Sequence, residues 1–103
     1  MKRYTLKIAE GPDERFIGEH IGGGQFGTQR YYLFRRPDDT YIVHKVEAAG
    51  DSLFDAGAME FVELERLQKW PEECLGRHET AERKAFYAML KSAGLCPPND
   101  LDT

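Results

Sequence analysis

Cysteine is scarce in this chain: Cys74 and Cys96 are the only two in 103 residues. They form no CxxC pair. A closed zinc site needs four ligands, and Cys74-x-x-x-His78 supplies two, so no metal site is assigned. Two lone cysteines also exclude a disulfide framework, and both thiols are expected to be reduced in a cytoplasmic protein. Long hydrophobic runs are missing as well. No stretch approaches the ~20 apolar residues of a membrane span. The opening MKRYTLKIAEG holds an apolar run too short and interrupted for a signal peptide, so it reads as a strand. Positive charge is not in excess: the formal net charge is −4, which argues against broad nucleic-acid binding. His20, His44 and His78 are the only histidines, and none stands in a recognisable Ser-His-Asp or Cys-His pattern. No repeat or low-complexity tract interrupts the chain.

What is present fits one soluble domain. A chain of 103 residues buries about 65% of its unfolded surface, enough for one modest core. Hydrophobic residues at 41% and charged residues at 31% are ordinary for such a domain. Charge is unevenly spread. Residues 1–48 hold eight Lys/Arg and seven Asp/Glu, and residues 49–103 hold six and eleven. A nearly neutral first half thus joins an acidic second half, an asymmetry that points to a partner surface.

The patterning changes period along the chain. Tyr4, Leu6 and Ile8 alternate with polar residues, as in a half-buried strand. Arg15 to Ile21 alternates again. Gly22-Gly23-Gly24 costs backbone entropy to order, so a turn or bulge is expected there. Tyr31, Tyr32, Leu33 and Phe34 are β-prone, Pro37-Asp38-Asp39 closes a hairpin, and Tyr41 to Glu47 returns. Two registers remain open: a three-residue loop pairs Phe34 with Ile42 and Tyr32 with His44, while a two-residue loop pairs Phe34 with Tyr41 and Tyr32 with Val43. Strands are therefore expected at about 3–9, 15–21, 29–36 and 40–47. Residues 48–57 read as a loop, residues 58–62 could form an edge strand, and helices are expected at about 62–69 and 71–75, with Pro71 opening the second. The best helix spans 80–93: Thr80 is its N-cap, and Ala85, Phe86, Met89, Leu90 and Ala93 form one stripe. Gly94 and Pro97-Pro98 stop it, leaving a loose tail at 97–103. The expected fold is α+β, a three- to four-stranded antiparallel meander covered by C-terminal helices.

Three constellations could carry chemistry. Gly22-x-Gly24-x-x-Gly27 followed by Lys45 has the spacing of a glycine-rich phosphate loop with a lysine on the next strand, and His44 stands beside that lysine. The HRD and DFG elements of such enzymes are absent, and Gln29 stands where a valine packs on the base. Arg30, Tyr32, Phe34 and Arg36 share one strand face, and with Arg35 they could stack bases and hold phosphate. The glutamates of the second half, Glu60 to Glu82, could dock a basic partner. Each has a plainer reading: a tight hairpin end, core aromatics with arginines at the rim, and a solvated helix face.

Arg15-Phe16-x-Gly18, Tyr32-x-Phe34 and Tyr41-Ile42-Val43-His44-Lys45 resemble the core strands of the bacterial EXLDI family. Met59-Glu60-Phe61, Leu64-Glu65-Arg66-Leu67, Pro71-Glu72-Glu73 and the ending Leu101-Asp102-Thr103 extend the resemblance over residues 15–103. Several members carry an N-terminal ribbon-helix-helix segment, for which Met1 to Glu14 is too short, and the leading Glu of the terminal motif is missing. The resemblance implies a bacterial α+β module associated with regulation and assigns no catalytic residues. The functional expectation is a non-catalytic regulatory or protein-interaction module without a cofactor, acting through a protein partner or self-association and not at a membrane. The alternatives are a ligand or nucleotide binder at Gly22, Gly24, Gly27, His44 and Lys45, and a nucleic-acid binder at Arg30, Tyr32, Arg35 and Arg36.

Overall fold

Pro37, Asp38 and Asp39 decide the register at the centre of the sheet. In the computed structural model, which describes residues 1–8, 11–49, 52–75 and 80–96, Arg36 N–H donates to the Thr40 carbonyl at 2.9 Å and Asp39 N–H to the Arg36 carbonyl at 3.0 Å. Asp39 takes a φ of +64°, the left-handed step that Asp tolerates in a three-residue hairpin loop. The Asp38 carboxylate accepts from Thr40 N–H and Oγ1 at 3.2 and 2.6 Å, which holds its pKa below the ordinary value. The three-residue register therefore wins: Phe34 faces Ile42 and Tyr32 faces His44.

This hairpin joins β3 (Gln29–Arg35) to β4 (Tyr41–Ala49) inside one antiparallel sheet. The other strands are β1 (Lys2–Leu6), β2 (Glu14–Phe26) and β5 (Ser52–Phe61), and the order is β1-β2-β3-β4-β5. Two helices follow, α1 (Leu64–Cys74) and α2 (Ala81–Ser92). The fold is thus α+β with five strands, one more than the upper expectation. The second half of the extra strand falls on the edge strand considered at 58–62, and its first half falls where a loop is expected over 48–57. Glycines and short polar residues there read as a break, yet the sheet pairs them from Lys45↔Gly57 to Ala49↔Ser52. The Gly50-Asp51 turn signal itself lies outside the described residues, as do Gly76, His78, the tail 97–103 and the expected end of the first strand at Ala9.

Of the turn or bulge expected at Gly22-Gly23-Gly24, the structure has the bulge: β2 continues through the glycines with a register slip just before Gly22. Its first part pairs with β1, Lys2↔Gly18 to Leu6↔Glu14. Its second part pairs with β3, Glu19↔Arg35 to Phe26↔Gln29, with a slip that leaves Ile21 unpaired. That one-residue bulge swaps the parity of the strand. His20, Gly23 and Gln25 come to the face of Arg30, Tyr32 and Phe34, while Gly22 and Gly24 come to the face of Tyr31 and Leu33.

Both faces are used. On the helix face, Tyr31, Leu33, Tyr41, Val43 and Phe61 pack against Leu67 of α1 and Ala85, Phe86, Met89 and Leu90 of α2. Trp70 stacks on Phe86 at 4.8 Å, and Tyr31 meets Phe86 edge-on at 5.1 Å. On the opposite face, the β1–β2 hairpin curls back over β3 and β4. Leu6, Tyr4 and Phe16 close over Phe34 and Ile42, with Tyr4 and Phe16 rings 4.8 and 5.2 Å from Phe34.

α2 is capped as its sequence indicates. Thr80 Oγ1 accepts from Arg83 N–H at 3.2 Å. Gly94 takes φ +73°, with Gly94 N–H bonded to the Lys91 carbonyl and Leu95 N–H to the Leu90 carbonyl, a Schellman ending. The two short helices expected around Pro71 are instead one, with Pro71 inside α1. Proline there forgoes the bond to the Leu67 carbonyl, but its ring is fully buried and its own carbonyl accepts from Leu75 N–H at 2.9 Å.

The closest contact between layers runs across β2. A Cβ on Gly24 would run into the Ala85 carbonyl oxygen and stand 2.5 Å from Met89 N, and one on Gly22 would stand 2.8 Å from the Met89 carbonyl. Gly23, facing the other way, has only ordinary contacts at 3.5 Å or more. Gly24→Ala is therefore expected to lower stability by about 1–3 kcal/mol through overpacking against helix backbone. Gly23→Ala is expected to be neutral or stabilising by up to about 1 kcal/mol. Urea unfolding of the two variants beside the parent checks the contrast.

Candidate functional site

Each glycine of the Gly22-x-Gly24-x-x-Gly27 motif has a structural task. Gly22 and Gly24 lie under α2. Gly27, at φ +62°, opens the two-residue turn between Phe26 and Gln29, where glycine is favoured. The peptide groups of Gly23 are taken by α2. Ser92 Oγ accepts from Gly23 N–H at 2.8 Å and lies 3.0 Å from its carbonyl. Lys45 is on the helix face, 3.8 Å from Glu82. His44, one residue earlier, is on the other face, and its Nε2 donates to the Lys7 carbonyl at 2.9 Å, a bond that sets its tautomer. Gly22, Gly24, Gly27, His44 and Lys45 are thus not gathered into one cradle, because strand alternation and the helix layer separate them.

The arginine–aromatic set divides in the same way. Arg35 lies on the helix-side parity and pairs with Glu19 at 3.2 Å. Arg36 bonds Glu60 at 2.7 Å and Thr40 Oγ1 at 2.7 Å. Arg30 and Tyr32 do meet. They line a shallow concavity of about 230 Å³ on the open face, together with His20, Gly23, Gly24 and Gln25. The His20 and Tyr32 rings stand 6.2 Å apart at 50°, and Tyr4 Oη fixes the strand there by accepting from His20 N–H at 3.3 Å. Arg30 is the odd cation: its Nε is buried and has no hydrogen-bond partner.

A second feature is the sheet edge. β1 carries Lys2 and Arg3 along its outer edge, charges that discourage strand addition. The half of β2 that has no β1 partner is covered at Gly23 by Ser92. β5 has neither protection. Its ten residues, SLFDAGAMEF, include no Lys, Arg or Pro, and it pairs on one side only, with β4. Val62, just beyond it, is 69% exposed.

The sequence reading missed His20 and Gln25 as neighbours of Arg30, since only the Ile21 bulge brings them there. Met59 and Phe61 at period two pointed to the end of β5 as an edge strand, while its first half, 52–57, read as loop. Among the described residues no cluster of three metal-ligating side chains forms, and no helix is long and apolar enough to cross a membrane. Comparison with protein-family models, curated proteins and solved structures finds no match, so these two surfaces carry the functional reading.

Near Lys45, burial pushes the Tyr31 phenol well above its ordinary value of 10.0, with the Glu82 charge adding to the rise. The Tyr31 hydroxyl has no hydrogen-bond partner. A raised folded-state pKa means that this contribution to stability is complete below about pH 10 and is lost as pH rises beyond it. Tyr31→Phe is expected to flatten the alkaline fall in stability between pH 9.5 and 11.5. At pH 7 it should hold or raise stability, by about 1 kcal/mol, because it removes an unsatisfied buried group. Urea midpoints of both proteins across that range test the prediction.

Proposed function

We propose that this chain is a non-catalytic interaction module of the bacterial cytoplasm, with a regulatory role, that assembles by adding a strand at β5. The supporting observation is the unprotected edge itself. An edge strand of ten residues presents a row of backbone donors and acceptors, and natural proteins blunt such rows unless they are used. Among the described residues β1 carries two cations and β2 is tied to Ser92, whereas β5 beyond its bulge at Phe54 has neither device.

A second copy of the chain is the occupant that the β5 sequence fits. Antiparallel self-pairing centred on Gly57 sets Ala56 against Ala58 and Asp55 against Met59, on the regular side of the bulge at Phe54. No two acids oppose one another there, and small residues at the centre let the strands close. The only acid at the described end of the strand, Glu60, is held by Arg36. Two five-stranded sheets would then become one continuous sheet, each half keeping its helices on one face. The likeness to the EXLDI family points in the same direction, to a bacterial module with a regulatory association.

Sedimentation or light scattering is expected to give twice the monomer mass at micromolar concentration. Ala58→Lys places a charge on the exposed strand centre and is expected to return the monomer with its far-UV spectrum unchanged. A protein that stays monomeric to several hundred micromolar, or a dimer indifferent to Ala58→Lys, would count against β5 as the joining edge.

A further inference from the structure

We propose that the concavity between His20, Gly23, Arg30 and Tyr32 binds a small planar acid: a flat ring carrying one oxyanion group, carboxylate or phosphate. The case begins with charge. The other cations of this part of the sheet each face a glutamate: Arg35 faces Glu19, Arg36 faces Glu60 and Lys45 faces Glu82. Among the described residues Arg30 faces none, and its Nε is removed from solvent with no acceptor. A guanidinium that lines the concavity without an anionic partner is met by one oxyanion through charge-assisted bonds to its terminal N–H groups.

The walls define the rest of the ligand. The cavity, at about 230 Å³, lies below the usual range for drug-sized molecules, so the ligand is small. His20 and Tyr32 present rings on two sides, surfaces against which a flat ring stacks. Between them Gly23 has no side chain, and a Cβ there would sit 3.8 Å from Tyr32 Cδ1 and 3.9 Å from His20 Nε2. The added atom would be in ordinary contact with both rings, taking the room a ligand would use, above a backbone already anchored by Ser92. Gln25, opposite Arg30 across the ladder, adds an amide able to donate and accept. The site stands on strands and a bulge, so it is held without a moving loop.

Four probes separate the sources of the oxyanion: benzoate, phenyl phosphate, inorganic phosphate and, as the uncharged ring, benzyl alcohol. In amide-resolved NMR titrations of the full chain, benzoate or phenyl phosphate is expected to shift Gly23, Gln25, Arg30 and Tyr32 saturably. Inorganic phosphate and benzyl alcohol should bind at least tenfold more weakly. The better of the two aromatic acids identifies the headgroup. Arg30→Met is expected to weaken that binding at least tenfold while the unfolding temperature of the free protein holds or rises, because a buried N–H without a partner has been removed. Gly23→Val should fill the ring space and abolish binding with the fold intact. Three results would overturn the proposal: no saturable shift at millimolar probe, binding unchanged in both variants, or a lower unfolding temperature for Arg30→Met with binding retained. Tighter, strongly salt-dependent binding of a short single-stranded oligonucleotide at the same amides would replace the small acid with a nucleic acid.

Discussion

The structure depends on how closely α2 lies on β2. Two glycines on one side of the strand leave no β2 side chain between this stretch and the helix backbone. Ser92 then uses that closeness to bond the strand's free peptide group. The contact performs two tasks. It brings Phe86, Met89 and Leu90 down onto Tyr31 and Leu33, and it closes a stretch of sheet edge that β1 is too short to reach. A motif that looks like a phosphate loop in one dimension is, in three, a helix seat followed by a hairpin turn. Glycine is needed in both roles for the same reason, the absence of Cβ, which is why spacing cannot tell them apart.

The Ile21 bulge is the second determinant. Without the extra residue, Gly22 and Gly24 would face away from the helix and Gly23 would lie under it. With it, β2 serves β1 along one half and β3 along the other. The same slip turns His20 and Gln25 toward Arg30. Helix docking and the polar concavity are thus two results of one inserted residue.

Much of this was legible in the sequence, and the failures have physical causes. The α2 stripe, its Thr80 cap and its Gly94 stop were readable because local chemistry alone specifies them. The aromatic strand and its hairpin partner were readable from β-propensity, and one of the two loop lengths considered was the observed one. At Gly22–Gly24 turn and bulge stayed open and at residues 48–57 a loop was expected, because glycine-rich segments have weak local preferences and tertiary contacts decide them. Pro71 was misread as a helix start because burial of its ring outweighs one missing hydrogen bond. Of the proposed site residues, Arg30 and Tyr32 came together as their shared strand parity required. Arg35 could not, since it is an odd number of positions away from both Arg30 and Arg36's face. His44 and Lys45 were separated by adjacency itself, for neighbours on a strand point to opposite sides.

β3 supplies side chains to both cores at once: Tyr31 and Leu33 to the helix side, Tyr32 and Phe34 to the side under the curled hairpin. Four consecutive residues therefore have no solvent side on which to vary freely. A strand shared in this way acts as a common wall. The two cores cannot melt independently, since losing either one strips half the support from the strand that the other needs. Cooperativity between the layers is then a property of a single heptapeptide, and any strain applied to one face of the sheet is felt on the other through backbone that both must keep.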